Sequence, residues 1–258
     1  MRLMKRILSA AAVLALSASL LVGCSSGTAS SVPVSASSAA ESTVSSVEET
    51  ASSAVDENEA AAAQLLNDLT GSYQELWPVI LADEYKQTWL DDCTALVGED
   101  NAEAAFEKLS SMVTGDVYGE DAVKAYANGG GAYFCGFTNS LATLTFDGET
   151  STISGTDKDG NALFSHTYHY IGMEPVHGLY EFESDDADSG EFTYFFLAPD
   201  TSAETYHIEF RYGSDAEALS QYDAGEYAYW VASGISTDYD QTMIDNCIEL
   251  FCTENLAG

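Results

Sequence analysis

The chain has 258 residues, with 42 acidic side chains against 8 basic ones and a formal charge of −34 at pH 7. Such a surface repels phosphate, which excludes a nucleic-acid partner, and it attracts cations without selecting among them. Solubility outside a cell is enough to explain that charge.

The chain opens with Arg2, Lys5 and Arg6 and then an apolar run, Ile7 to Leu21, too short for a comfortable membrane span. The run ends in Leu21-Val22-Gly23-Cys24, an aliphatic residue, two small or aliphatic ones and a Cys. That pattern predicts a bacterial lipoprotein signal over residues 1–23. Cys24 then carries acyl chains that anchor the mature protein to the extracytoplasmic face of the cell membrane. Residues 24–58 are rich in Ser, Ala and Glu, with Pro33 and no aromatic residue. They predict a disordered tether holding the domain on the order of 30 Å from its anchor. Residues 59–258, about 200 positions, are a normal size for one domain with its own core.

Helical spacing begins near Glu59 and runs through Leu65 and Leu66. The stretch from Gly71 to Pro78 leads into a second apolar piece, Val79 to Leu81, and helical spacing recurs at Tyr85, Trp89 and Leu90. It returns from Ala102 to Val113, then around Ala122 to Tyr126, and stops at Gly129-Gly130-Gly131. That triplet is a turn, because a phosphate cradle wants a following Lys. The period then changes to alternation. Strands are predicted at Ala132–Phe137, Leu141–Phe146, Ser151–Gly155, Ala162–Tyr170, Leu179–Glu183 and Phe192–Leu197, with turns at Asp147-Gly148, Asp159-Gly160 and Ser189-Gly190. Asp157 to Asn161 looks like a calcium loop but lacks the Gly position and bidentate Glu of an EF-hand, so it reads as a hairpin turn.

The stretch from Glu204 to Val231 organises the rest. Tyr206, Ile208, Phe210 and Tyr212 alternate with Thr205, His207, Glu209 and Arg211, which makes a further strand with one apolar face. Asp215 then caps a short helix through Leu219, and Tyr227, Tyr229 and Trp230 return the chain to packed surface. A last amphipathic helix, capped by Ser236 or Thr237, carries Met243, Ile244, Cys247, Ile248 and Phe251 as one core-facing stripe. About seven antiparallel strands suffice for a small barrel or sandwich. Besides Cys24 there are Cys93, Cys135, Cys247 and Cys252, whose pairing spacing alone cannot choose; we read them as buried or paired. No Ser or Cys nucleophile stands in a recognisable setting with a His, and no glycine-rich cofactor loop appears, so the chain does not read as an enzyme.

Several of these stretches, in order, resemble the ZinT (YodA) family. They are Gly71-Ser72-Tyr73-Gln74-Glu75-Leu76-Trp77-Pro78, Thr167 to Glu174, Gly190-Glu191-Phe192-Thr193-Tyr194, and the aromatic-His strand with Gly213-Ser214-Asp215, Leu219 and the Tyr/Trp run before Ile235-Ser236. The resemblance spans roughly residues 65–250. It implies a mainly β fold, a lipocalin-like (calycin) antiparallel β-barrel with N-terminal and C-terminal helices. It also implies zinc binding outside the cytoplasm, as capture, buffering or delivery to a metal ABC transporter. The family holds zinc with three histidines, two of them flanking an aromatic residue. Here His207 matches the second of that pair, Thr205 stands at the first, and Leu197 precedes Ala198-Pro199 where the third would be. A zinc site wants three or four N, S or O donors at about 2 Å. Glu209, on the same strand face as His207, and His169, on a middle strand, are therefore the further metal candidates, with His166 able to face the same lumen. His177, beside Gly178, is expected in solvent. If the apolar face of the His207 strand points into the barrel, His207 and Glu209 are expected to be solvated. The alternative is a lipocalin-like module without the metal that holds a small organic ligand among its many aromatic side chains.

Overall fold

The computed structural model describes residues 57–199 and 202–257. The expected signal over residues 1–23, the lipidated Cys24 and nearly all of the expected tether lie outside that range. Among the described residues, no helix is long and apolar enough to cross a membrane.

A helix over 57–68 (α1) leads into strand β1 (Gly71–Glu75) and the short α2 (Leu76–Ile80). Then come α3 (Lys86–Val97), α4 (Glu99–Val113) and α5 (Glu120–Ala127). The remaining strands are β2 (Thr143–Asp147), β3 (Thr152–Thr156), β4 (Ala162–Met173), β5 (Tyr180–Ser184), β6 (Tyr194–Leu197), β7 (Ile208–Gly213) and β8 (Ala232–Ser236). One-turn helices α6 (Ser202–Thr205) and α7 (Ala216–Leu219) flank β7, and α8 (Gln241–Leu256) closes the chain. Each strand pairs antiparallel with the next, and β8 returns to β1, so the sheet is a closed barrel of strands in sequence order. The fold is the expected lipocalin-like antiparallel barrel with added helices.

Local chemistry explains the turns. Asp147 Oδ1 accepts from the amides of Glu149 and Thr150 in the β2–β3 hairpin. Asp157 Oδ1 accepts from those of Asp159 and Asn161 in the β3–β4 hairpin. Asp215 caps α7 through the amides of Glu217 and Ala218, while α8 is capped by Asp240 rather than by Ser236 or Thr237. One predicted strand differs from expectation. The Ala132–Phe137 segment makes only isolated bridges at Phe134, because β1 and β8 use each other's edges to close the barrel.

The core has two parts. Inside the barrel lie Phe146, Phe164, Tyr168, Phe182, Phe195, Phe210 and Tyr212, with neighbouring rings in contact, as for Phe195 and Tyr212 at 5.4 Å and Phe137 and Phe210 at 5.3 Å. Outside it, Ile235 of β8 meets Leu76, Trp77, Trp89, Ile244, Cys247, Ile248 and Phe251, so the helices cover one side of the wall. This helix-covered seam positions the candidate site.

Candidate metal centre

Ile208, Phe210 and Tyr212 belong to the core inside the barrel, so the alternating partners Glu209 and Arg211 point outward, and His207 leaves the strand on that same side. Neither His207 nor Glu209 is solvated, contrary to the expectation for that orientation. The side chains are only 7% and 12% exposed, because α8 lies over them and Phe251 packs against the imidazole with 5.1 Å between ring centroids.

The backbone aims the imidazole. Residues 202–205 form α6 rather than the start of a strand, and Tyr206 turns the chain with φ 65°, a left-handed conformation that is strained for an aromatic residue. His207 Nδ1 donates to the Thr205 carbonyl at 2.7 Å, and the Thr205 hydroxyl donates to the His207 carbonyl at 2.6 Å. A carbonyl only accepts, so Nδ1 carries the hydrogen. Nε2 then faces Glu209 Oε1 at 3.6 Å. That is long for a hydrogen bond, and Glu209 Oε1 is buried without a partner. Two donors on one tetrahedral zinc, each at about 2.0–2.1 Å, stand about 3.3 Å apart. The observed gap is close to such a bite.

Two residues that no sequence pattern places here complete the surroundings. The Cys247 thiol, on α8 one turn before Phe251, stands close to the His207 ring. Burial alone would push the imidazole pKa down, but Cys247 and Glu209 together hold it well above the ordinary 6.5. Cys135 lies near Glu209, and burial, reinforced by that carboxylate, pushes its thiol up to about 12. Ser233 Oγ and Trp77 Nε1 are buried without a hydrogen-bond partner, and both are turned towards the Cys135 sulfur. Beside them a cleft of about 330 Å³ opens to solvent, lined by Glu75, Trp77, Val113, Asp116, Phe134 and Gly136.

The other histidines are elsewhere. His169 points outward, half-exposed, with Nδ1 2.7 Å from Asp185 Oδ1. Its row runs through Glu183 and Tyr194 to Gly213. Three strand spacings of about 4.8 Å therefore separate it from β7, too far to share an ion with His207. His166 shares the inner face with Phe164 and is held by Asp186 at 2.8 Å. His177 is buried rather than solvent-facing: Glu174 accepts from its amide at 2.5 Å, and its ring packs 3.6 Å from that of Tyr222. Among the described residues, no group of three or more His, Cys, Asp or Glu side chains is placed to hold a metal ion. The seam offers a pair at bite distance and thiols beside it.

No protein-family model matches this chain, and no curated protein matches it. Among solved structures it is similar to the Zn(II)-bound ZinT-like domain of AdcA from Streptococcus pneumoniae. The identity is 16%, over 72% of this chain and 89% of that one, with a TM-score of 0.45. It is also similar to Zn(II)-bound AdcA from the same organism, at 15% identity over 75% of this chain and a TM-score of 0.41. It spans 35% of that longer protein.

Proposed function

We propose that this domain binds a divalent transition metal, zinc first, for capture, buffering or delivery outside the cytoplasm, from a lipid anchor at Cys24. In this reading His207 Nε2 and Glu209 Oε1 grip the ion, and Cys247, with Cys135 behind it, supplies thiolate as the ion draws the helix side of the seam inward. The observation that carries it is the buried His207–Glu209 pair, with its unpartnered carboxylate oxygen and an imidazole already fixed at Nδ1 by a backbone carbonyl. Metal-bound histidines are usually oriented in that way. A mixed N, O and S donor set suits zinc better than magnesium or calcium, which take oxygen. A solvent-open cleft lined by Trp77 lies on the same side of the barrel, with Glu75 and Asp116 on its walls. A small organic ligand in the barrel is the weaker reading, because aromatic side chains already fill the lumen.

Calorimetric titration of zinc into the mature chain carrying Cys24→Ser, at physiological ionic strength with excess magnesium to occupy surface carboxylates, tests this. One saturable site is expected, weakened at least about 100-fold by His207→Ala. Cobalt in place of zinc should give a thiolate charge-transfer band that Cys247→Ser removes. Absence of saturable binding in the parent chain, or undiminished binding by His207→Ala, refutes the proposal.

A further inference from the structure

Helix α8 carries a second cysteine, Cys252, on the side facing α3. Its sulfur lies 3.9 Å from that of Cys93, and both residues are fully buried. The remaining cysteines sit apart from this pair, Cys247 against His207 and Cys135 against Ser233 and Trp77. We infer that Cys93 and Cys252 form a disulfide in the exported protein, a covalent staple from α3 to α8 that leaves Cys135 and Cys247 as thiols. A disulfide needs sulfurs about 2.05 Å apart, so the pair must close by about 2 Å, within reach of side-chain rotation at a contact already made.

The chemistry is thiol–disulfide exchange with a disulfide oxidant of the extracytoplasmic space. One cysteine, as thiolate, attacks a sulfur of the oxidant and releases the other oxidant sulfur as a thiolate. The second cysteine then attacks the mixed disulfide, forming the Cys93–Cys252 bond and releasing the second oxidant thiolate. Two electrons pass to the oxidant, and the two thiol protons pass to solvent or to the released thiolates. Burial raises both thiol pKa values in the closed domain, so exchange belongs to folding, before α8 seals against α3. The pair is separated by 159 positions, a long loop whose closure restrains the unfolded chain strongly. The staple also fixes the helix that covers His207; the inference rests on the sulfur pair and on the proposed export, not on the metal reading.

The test is made in chelator, so that metal binding plays no part. The chain with Cys24→Ser is exported by a bacterial host, trapped with N-ethylmaleimide at harvest, digested and analysed by mass spectrometry. The expected result is alkylated Cys135 and Cys247 and one cross-linked peptide pair containing Cys93 and Cys252. Reduction should then lower the melting temperature by about 5–15 °C. Cys93→Ser should abolish that reduction-dependent shift, and Cys135→Ser with Cys247→Ser should retain it. Alkylation of all four cysteines, or a cross-link that includes Cys135 or Cys247, overturns the inference.

Discussion

Arg211 is fully buried, whereas Lys86, Lys108, Lys124 and Lys158 are exposed. Its guanidinium holds the crossing between β7 and β8: Nη1 donates to the Leu219 carbonyl, and Nη2 to the Tyr227 carbonyl at 2.5 Å and weakly to Gln221 at 3.4 Å. The guanidinium carbon lies 4.1 Å from the Tyr222 ring centroid. Hydrogen bonds from a charged donor are worth about 1.5–3 kcal/mol each, and removing their donor leaves buried carbonyls unmet. Arg211→Met should therefore cost about 3–5 kcal/mol. Arg211→Lys keeps a charge but has no planar fork, so it can satisfy one end of the crossing and should cost about 1.5–3 kcal/mol. With a urea dependence of about 2–3 kcal/mol per molar, the midpoint should fall by about 0.5–1.5 M for Lys and about 1–2.5 M for Met. Urea unfolding followed by tryptophan fluorescence reads both, since Trp230 ends the crossing. A Lys variant within about 0.5 kcal/mol of the parent would show that the fork does not hold this segment.

The metal-free domain should carry a pH signature from His207. Its folded pKa is raised, so its stabilisation is fully present below 6.5 and lost as pH climbs through the raised value. The urea midpoint should fall over that range and do so less in His207→Gln, and zinc should reverse the trend because it competes with the proton. Glu174 behaves oppositely. Despite burial, its bonds from the His177 ring and amide and the Val176 amide hold its pKa below the ordinary 4.5. Its stabilisation should be present above 4.5 and vanish as pH falls further; Glu174→Gln should cost about 1–3 kcal/mol at neutral pH and flatten that acid limb in urea titrations. A Cβ at Gly148 would stand 2.4 Å from Asn67 Cα and 2.6 Å from the Leu66 carbonyl oxygen, backbone atoms that no rotamer change moves. Gly148→Ala should destabilise by about 1–3 kcal/mol in calorimetry, and an unchanged melting temperature would mean α1 is not seated on the hairpin. Replacing His207 and Glu209 together by Leu should abolish zinc binding yet leave the metal-free domain as stable or more so, by up to about 4 kcal/mol; strong destabilisation would assign the pair to the fold instead.

The strands that could be read in the sequence are those with a polar side. β2, β3 and β7 alternate cleanly, and their hairpins carry Asp and Gly where the backbone needs them. β1 and β8 could not be read. β8 is Ala-Ser-Gly-Ile-Ser with nearly every position buried, since the barrel interior takes one face and the helices the other, and burial on both faces erases the period-2 signal. β1 has five residues and one fully buried side chain, Tyr73, between helical neighbours. His177 departs from expectation for a related reason: a Gly-flanked turn suggests solvent, but the β7–β8 crossing folds back over it and lays Tyr222 on the ring.

The candidate site divides along the same line. His207 and Glu209 stand out because residues two apart leave a strand on the same side, a local rule. Their cover does not follow from any local rule. Cys247 fits the apolar stripe of α8 as well as any Ile does, and only the docking of that helix onto β7 and β8 brings its sulfur to the imidazole. The lumen, where the resemblance directs attention, is filled by aromatic rings that would desolvate an ion and offer it nothing. The seam outside holds what a lumen of rings lacks. Of the five buried side-chain atoms without a hydrogen-bond partner among the described residues, three, Glu209 Oε1, Ser233 Oγ and Trp77 Nε1, lie there near Cys135, and Arg211 Nε and Tyr222 Oη are the other two. Buried polar groups with long or weak partners cost stability, and a wall that needed only to pack would bury aliphatic side chains instead. Their grouping with His207 and two thiols is the reason the proposed ion is placed under α8 and not in the lumen.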